Sequence, residues 1–386
     1  MACKPRQAAA ILCIVAAYLV RSGASAAQPP PSAPAEEKHA DRLLALAGDG
    51  FEIRETDHFL IAYDTSYEAV RPLVGRLEGT YKALARFCRG CGIREGGSDA
   101  PLEVILFDQS EDFARYLETV GIPAATMAGI YDQRTNIAAF SNTFNHPDLD
   151  AVGLRIEQIQ AQLRRLSGGG AAARSNDRRR SDLQQQLLVL QTRRDAIVKQ
   201  FNRFVIQHEA AHQMFFNLGM HVRGAANPPW LVEGLACQFE VPQPVIASGR
   251  VRINHMRLGD FRDALGVARR ETALSESAYQ DAVTRGRIVP MADLVSDPEL
   301  FSGRDKNVPY HYAQAWACVY YLYKTRRQAF KGYAQRVKDR RPGERVDSEQ
   351  NLGDFQDAFG VPDREFERAW IDHILRLRYD PREAGR

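Results

Sequence analysis

Residues 208–212 read His208-Glu209-Ala210-Ala211-His212, and Glu233 follows within Trp230-Leu231-Val232-Glu233-Gly234-Leu235-Ala236. These two segments constrain the fold more than any other part of the chain. On a helix, positions i and i+4 share a face, so His208 and His212 present two imidazoles side by side. The flanking Val205, Ile206, Met214, Phe215 and Phe216 are apolar, which suits a buried helix. Imidazoles and carboxylates are costly in such a setting unless something pairs them, and a metal ion does so directly. Gly219 is a helix stop, and Pro228-Pro229 precedes a second apolar helix carrying Glu233. The expected fold therefore brings two helices together so that His208, His212 and Glu233 grip one Zn2+ and leave a fourth position open. Glu209 lies beside that face, placed to act as general base on a zinc-activated water, an arrangement that describes a hydrolase.

Other zinc patterns fit less well. A metzincin would place glycine and a third histidine at positions 215 and 218, which here are Phe215 and Leu218. His221 lies past the helix stop and reads as a loop residue rather than a ligand. With Trp230-x-x-Glu233-Gly234-x-Ala236, the motif resembles the gluzincin metallopeptidases, the peptidase MA-like clan. From His208 to Pro242, including Gln213, Phe216, Asn217 and Phe239-Glu240, the chain is similar to an uncharacterised exported family of that clan. The resemblance covers roughly residues 55–375. It implies zinc on His208, His212 and Glu233, with Glu209 as general base and acid. Many relatives carry an acid four residues after the third ligand. That position is Cys237 here, and Glu240, seven on and expected on the same helix face, is placed to take its role.

The N-terminus reads as a targeting signal: Lys4 and Arg6, then an apolar run from Ala8 to Val20, then the small-residue site Ala24-Ser25-Ala26. The apolar run is too short to span a bilayer comfortably, so cleavage is expected, with no stable membrane span in the mature chain. The expected location is periplasmic or extracellular. Export permits disulfides. Cys88-x-x-Cys91 reads as a local disulfide or idle thiols, and Cys237 and Cys318 as core residues or one bridge. With 386 residues, 45% hydrophobic and 26% charged, the mature chain has ample core for a large globular unit. A net charge of +3 argues against a dedicated nucleic-acid binder.

The expected organisation is a signal peptide over 1–26, a disordered leader over 27–50, a mixed-sheet subdomain over 51–150, a helical-hairpin insertion over 151–201, and a zinc-motif and helical subdomain over 202–380. The spacing predicts strands at His58 to Tyr63 and Leu102 to Phe107, helices at Tyr67 to Phe87 and Glu111 to Val120, and a hairpin pairing Gly129 to Tyr131 with Asn136 to Phe140. Val152, Ile156, Ile159, Leu163 and Leu166, then Leu183, Leu187, Leu190, Arg194, Ile197 and Phe201, step at heptad spacing around Ser167-Gly168-Gly169-Gly170. They read as an antiparallel helical hairpin whose second arm runs on into the motif helix. Arg178, Arg179 and Arg180 read as a solvated tip, or as a contact with an anionic envelope polymer or protein partner. Short helices follow at Pro290 to Val295, Tyr310 to Tyr323 and Phe366 to Leu377. The fold class is thus α+β: a small mixed β-sheet subdomain followed by a mainly helical zincin-like subdomain, with an inserted helical hairpin.

By analogy with gluzincins, the strand at Gly129 to Tyr131 or at Asn136 to Phe140 would hold an extended peptide through its backbone. By the same analogy, one of Tyr310, His311 and Tyr312 would donate to the oxyanion. The expected function is an exported zinc metallopeptidase acting on peptide or protein substrates. The alternatives are a non-catalytic binding module of the cell envelope that keeps the fold, and a zinc hydrolase of a non-peptide amide.

Overall fold

A computed structural model describes residues 35–384, apart from 94–99, 124–126, 143–146, 167–172, 242–250, 269–270 and 303–305. The expected signal at 1–26 therefore lies outside the described residues. Part of the expected leader does not stay irregular. Ala35–Ala47 forms helix α1, and Leu43 on its inner face is fully buried against the sheet. His39 and Arg42 on the same helix both reach the Glu103 carboxylate, a buried acid in mid-strand. An amphipathic face and a charge partner together offset the ordering entropy that composition alone would leave unopposed.

The sheet contains β1 (Glu52–Glu55), β2 (Phe59–Tyr63), β3 (Leu102–Phe107), β4 (Gly129–Asp132) and β5 (Ile137–Ser141), with α2 (Tyr67–Gly90) and α3 (Ser110–Thr119) between them. Spatial order is β1-β2-β3-β5-β4. The β2–β3 and β3–β5 pairs are parallel, and the two outer pairs are antiparallel. Successive residues face opposite sides: Phe59, Ile61, Val104 and Phe140 pack toward α2 and the motif helix, whereas Leu60, Ala62, Ile105 and Ala139 pack toward α1 and α3. Both faces are covered, which is why the inner strands read as unbroken apolar runs. Periodicity did not reveal β1, because Glu52-Ile53-Arg54-Glu55 is a mostly exposed, charged edge strand with little apolar signal. Of the two hairpin strands, β5 is paired on both sides, and β4 lies at the sheet's edge with no strand on its outer side among the described residues.

Helix α4 (Pro147–Leu166) and helix α5 (Ala173–Asn217) pack against each other, burying Ile156, Ile159 and Leu183. The two helices form the expected hairpin, and its second arm runs on into the motif helix as one continuous 45-residue element.

The remainder is helical: α6 (Pro229–Gln238), α7 (His255–Leu265), α8 (Glu276–Thr284), α9 (Met291–Ser296), a 3-10 turn at Pro298–Phe301, α10 (Val308–Thr325), α11 (Arg327–Lys338), α12 (Ser348–Phe359), α13 (Arg364–Leu375) and α14 (Pro381–Ala384). Among the described residues no helix is long and apolar enough to cross a membrane. The four cysteines from Cys88 onward are buried and form no disulfide, which leaves the thiol reading of Cys88 and Cys91 and the core reading of Cys237 and Cys318.

Two glycines set how closely these parts approach. A Cβ on Gly234 would sit 2.5 Å from the Ala315 carbonyl oxygen, so its absence lets α6 lie directly on α10. A Cβ on Gly129 would sit 2.7 Å from Phe140 Cδ1 and 2.9 Å from Val205 Cγ1, so its absence lets β4 lie on α5.

Candidate metal centre

Helix α5 delivers His208, Glu209 and His212, all buried. Helix α6 delivers Glu233, also fully buried. The two imidazole Nε2 atoms lie 3.1 Å apart, and Glu233 Oε2 lies 3.2 Å from His208 Nε2 and 3.4 Å from His212 Nε2. An ion with metal–ligand bonds of about 2.0–2.1 Å in tetrahedral geometry has ligand–ligand edges of about 3.3 Å. The triangle matches that edge on all three sides.

Charge leads to the same conclusion. Counted as ionised, Glu209, Glu233 and Glu240 place three negative charges in a buried neighbourhood, and Arg257 returns one positive charge. The balance is that of a divalent cation. Burial opposes a charged His208 imidazole, but hydrogen bonds with Cys237, Glu233 and Glu240 outweigh it and raise its pKa well above the usual value. Burial likewise opposes an ionised Glu233, but the charge of His212 and hydrogen bonds to both imidazoles hold its pKa down to about 2. The residues therefore fit a bound metal ion.

Support for His208 comes from Glu240, whose Oε1 lies 2.8 Å from His208 Nδ1. This is the role expected of Glu240, reached from a different place: α6 ends at Gln238, and Glu240 acts from the turn beyond it. Arg257 grips Glu240 with two bonds, Nε to Oε2 at 2.9 Å and Nη2 to Oε1 at 2.6 Å. Asn254 does two jobs at once. Its Oδ1 caps α7 by accepting from the Met256 and Arg257 amides, and its Nδ2 donates to Glu240 Oε2 at 2.8 Å. Sequence reasoning missed Asn254 and Arg257, because nothing in their spacing ties them to the motif. Cys237 also approaches His208 and Glu240. Burial pushes its thiol up to about 12.

Glu209 meets the sheet here. Its Oε2 accepts the backbone N–H of Tyr131 on edge strand β4 at 2.9 Å, and its Oε1 has no partner among the described residues. Burial raises the Glu209 pKa, against the lowering influence of His208 and His212.

The structure separates the three residues at the start of α10. Tyr312 is fully buried with its ring 5.8 Å from that of His208, and Arg257 lies over its face at 5.4 Å. His311 points elsewhere, with Nδ1 3.2 Å from the Leu300 carbonyl oxygen and Nε2 3.3 Å from that of Gly286. Tyr310 is half-buried and packs against the main core. Away from the centre, Asp57, His58 and Glu78 also cluster, but Glu78 is already bonded to His58 and Thr56 and Asp57 faces Lys82.

Residues 204–344 match the model of a family described as a protein of unknown function (DUF1570). That span holds every residue of the triangle and its Glu240–Arg257 support. No curated protein matches the chain.

Proposed function

We propose that this protein is an exported, zinc-dependent metallopeptidase of the gluzincin type. The observation that carries the proposal is the ligand triangle with Glu209 beside it. His208, His212 and Glu233 would hold the zinc. When bound, zinc supplies Lewis acidity toward a carbonyl and lowers the pKa of water toward neutrality.

The chain's own residues account for the remaining requirements. The Tyr131 amide fixes one oxygen of Glu209 and leaves the other free to take a proton from the attacking water. The raised pKa of this carboxylate suits a group that must also return that proton to a leaving amine. Strand β4 is the outermost strand at the same point, and an extended peptide paired to the backbone groups that Glu209 leaves available would run past that carboxylate. Tyr312 is favoured over Tyr310 and His311 as oxyanion donor, because it alone of the three lies against His208. Burial raises the pKa of its phenol, which keeps the donor proton in place. Export rests on the leader-like residues 1–26. A protein partner at the α4–α5 hairpin is supported by the exposed side chains of Leu154, Leu188 and Val189 on its two arms.

The test pairs metal analysis of the purified protein with Glu209→Gln assayed on a mixed peptide library. The variant is expected to keep zinc and lose turnover. A variant as active as the parent removes Glu209 from the mechanism, and a parent that binds no zinc removes the enzyme reading.

A further inference from the structure

The two histidine ligands are supported unequally. His208 Nδ1 meets Glu240, whereas His212 Nδ1 is buried and has no hydrogen-bond partner among the described residues. A ligating imidazole ordinarily donates its second N–H to something that fixes the ring. A second buried imidazole lies nearby in the same condition. His221 is 1% exposed, and neither of its ring nitrogens has a partner among the described residues.

Several contacts hold the His221 ring beside the last turns of α5. Its backbone N–H donates to the Phe215 carbonyl oxygen at 3.2 Å, and its ring packs on Phe215 and Phe216 at centroid distances of 5.7 and 5.2 Å. Those phenylalanines stand three and four residues beyond His212, on its side of the helix. The loop is pinned as well. Gly219 turns it with φ +80°, Asn227 bonds both the N–H and the carbonyl of Val222, and the Gly343 amide donates to the Gly224 carbonyl. His221 is electrostatically coupled to both His212 and Glu233. A pinned loop that buries an unsatisfied imidazole against the helix carrying two of the ligands is a costly arrangement for a residue that only packs.

We propose that His221 is a positioning residue of the metal centre, its imidazole holding a buried water that accepts the Nδ1–H of His212. A bridging water satisfies one nitrogen on each ring and gives His212 the counterpart of the support that Glu240 gives His208. The inference rests on the metal-binding reading above. It makes His221 neither a zinc ligand nor a group that touches substrate.

The experiment uses the full chain as parent, H221F and H221N. Zinc affinity is measured by competition with a chromophoric chelator, and the melting temperature of each metal-free protein is recorded alongside. Phenylalanine keeps the stacking and removes the unsatisfied nitrogens. H221F is therefore expected to melt at or above the parent temperature without metal, yet to bind zinc on the order of tenfold more weakly. H221N can still hold the water and is expected to recover most of that loss. The side-chain N–H resonance of His212 should be protected in the parent and in H221N and lost in H221F, a readout that a packing role does not move. Parent-like zinc affinity in H221F overturns the proposal, as does an affinity loss accompanied by equal destabilisation of the metal-free protein. If H221F does not fold, H221N alone decides through the His212 resonance: protection supports the bridge and its loss overturns it. A parent that binds no zinc is the separate failure of the metal reading itself.

Discussion

Gly234→Ala adds one methyl group where α6 crosses α10, and its consequence can be worked through from the contacts. The new Cβ would lie 2.5 Å from the Ala315 carbonyl oxygen, 2.9 Å from the Ala315 carbonyl carbon and 2.6 Å from Val319 Cγ2. The first two are backbone atoms in the buried stretch of α10 and cannot swing aside. Cβ contacts under 3.0 Å are essentially never observed, so α6 must withdraw by at least about 0.5 Å. Glu233 is the adjacent residue and moves with it, while metal–ligand distances tolerate only about 0.2 Å. Overpacking of this kind costs about 1–3 kcal/mol, offset by about 1 kcal/mol because alanine is the better helix former. The metal-free protein should therefore lose only a few degrees of melting temperature. Zinc affinity should fall on the order of 10–100-fold, the range seen when groups that orient ligands are removed. Chelator competition and a thermal melt of the metal-free form separate the two effects, with circular dichroism confirming retained helix. Parent-like zinc binding in Gly234→Ala would falsify the argument that this close approach places Glu233.

Further outcomes follow from the same contacts. Arg257→Met leaves the buried Glu240 carboxylate without its partner and should cost about 3–5 kcal/mol in urea denaturation; adding Glu240→Gln should recover part of it, and no recovery would show that the pair is not the cause. Tyr312→Phe should keep its zinc but lose about 10²–10³ in kcat on peptides, and an unchanged kcat eliminates Tyr312 as oxyanion donor. Burial depresses the His221 pKa from 6.5 to about 3, so the unfolded chain takes up a proton that the folded chain refuses across that interval. The corresponding stability is fully present above about pH 6.5 and is lost as pH falls toward 3, with a ceiling of about 5 kcal/mol. H221F should flatten the stability of the metal-free protein over that range, and an unaltered pH dependence refutes the assignment.

Much of the architecture is readable in local pattern, and its errors have identifiable causes. The inner strands were legible as short unbroken apolar runs, and α2 because its apolar residues repeat at helical spacing. Strand β1 was not, since Glu52-Ile53-Arg54-Glu55 joins the sheet through its backbone pairing with β2 rather than through an apolar face. Helix α1 reads as a leader in sequence because its stability comes from Leu43 against the sheet and from Glu103, which lies far along the chain.

The sequence alone determined which side chains form the triangle's base, because i and i+4 on a helix are neighbours whatever surrounds them. It also marked Glu233 as the third corner and Glu240 as a supporting acid. Only the tertiary structure decided that Arg257 and Asn254 hold Glu240, that an edge-strand amide holds Glu209, that Tyr312 rather than His311 faces the centre, and that His221 is buried with both nitrogens unpartnered. Those relations join elements separated by long stretches of chain. Their distances are fixed by how closely helices and strands can approach, at Gly129 and Gly234 above all, and no periodicity within a single element carries that information.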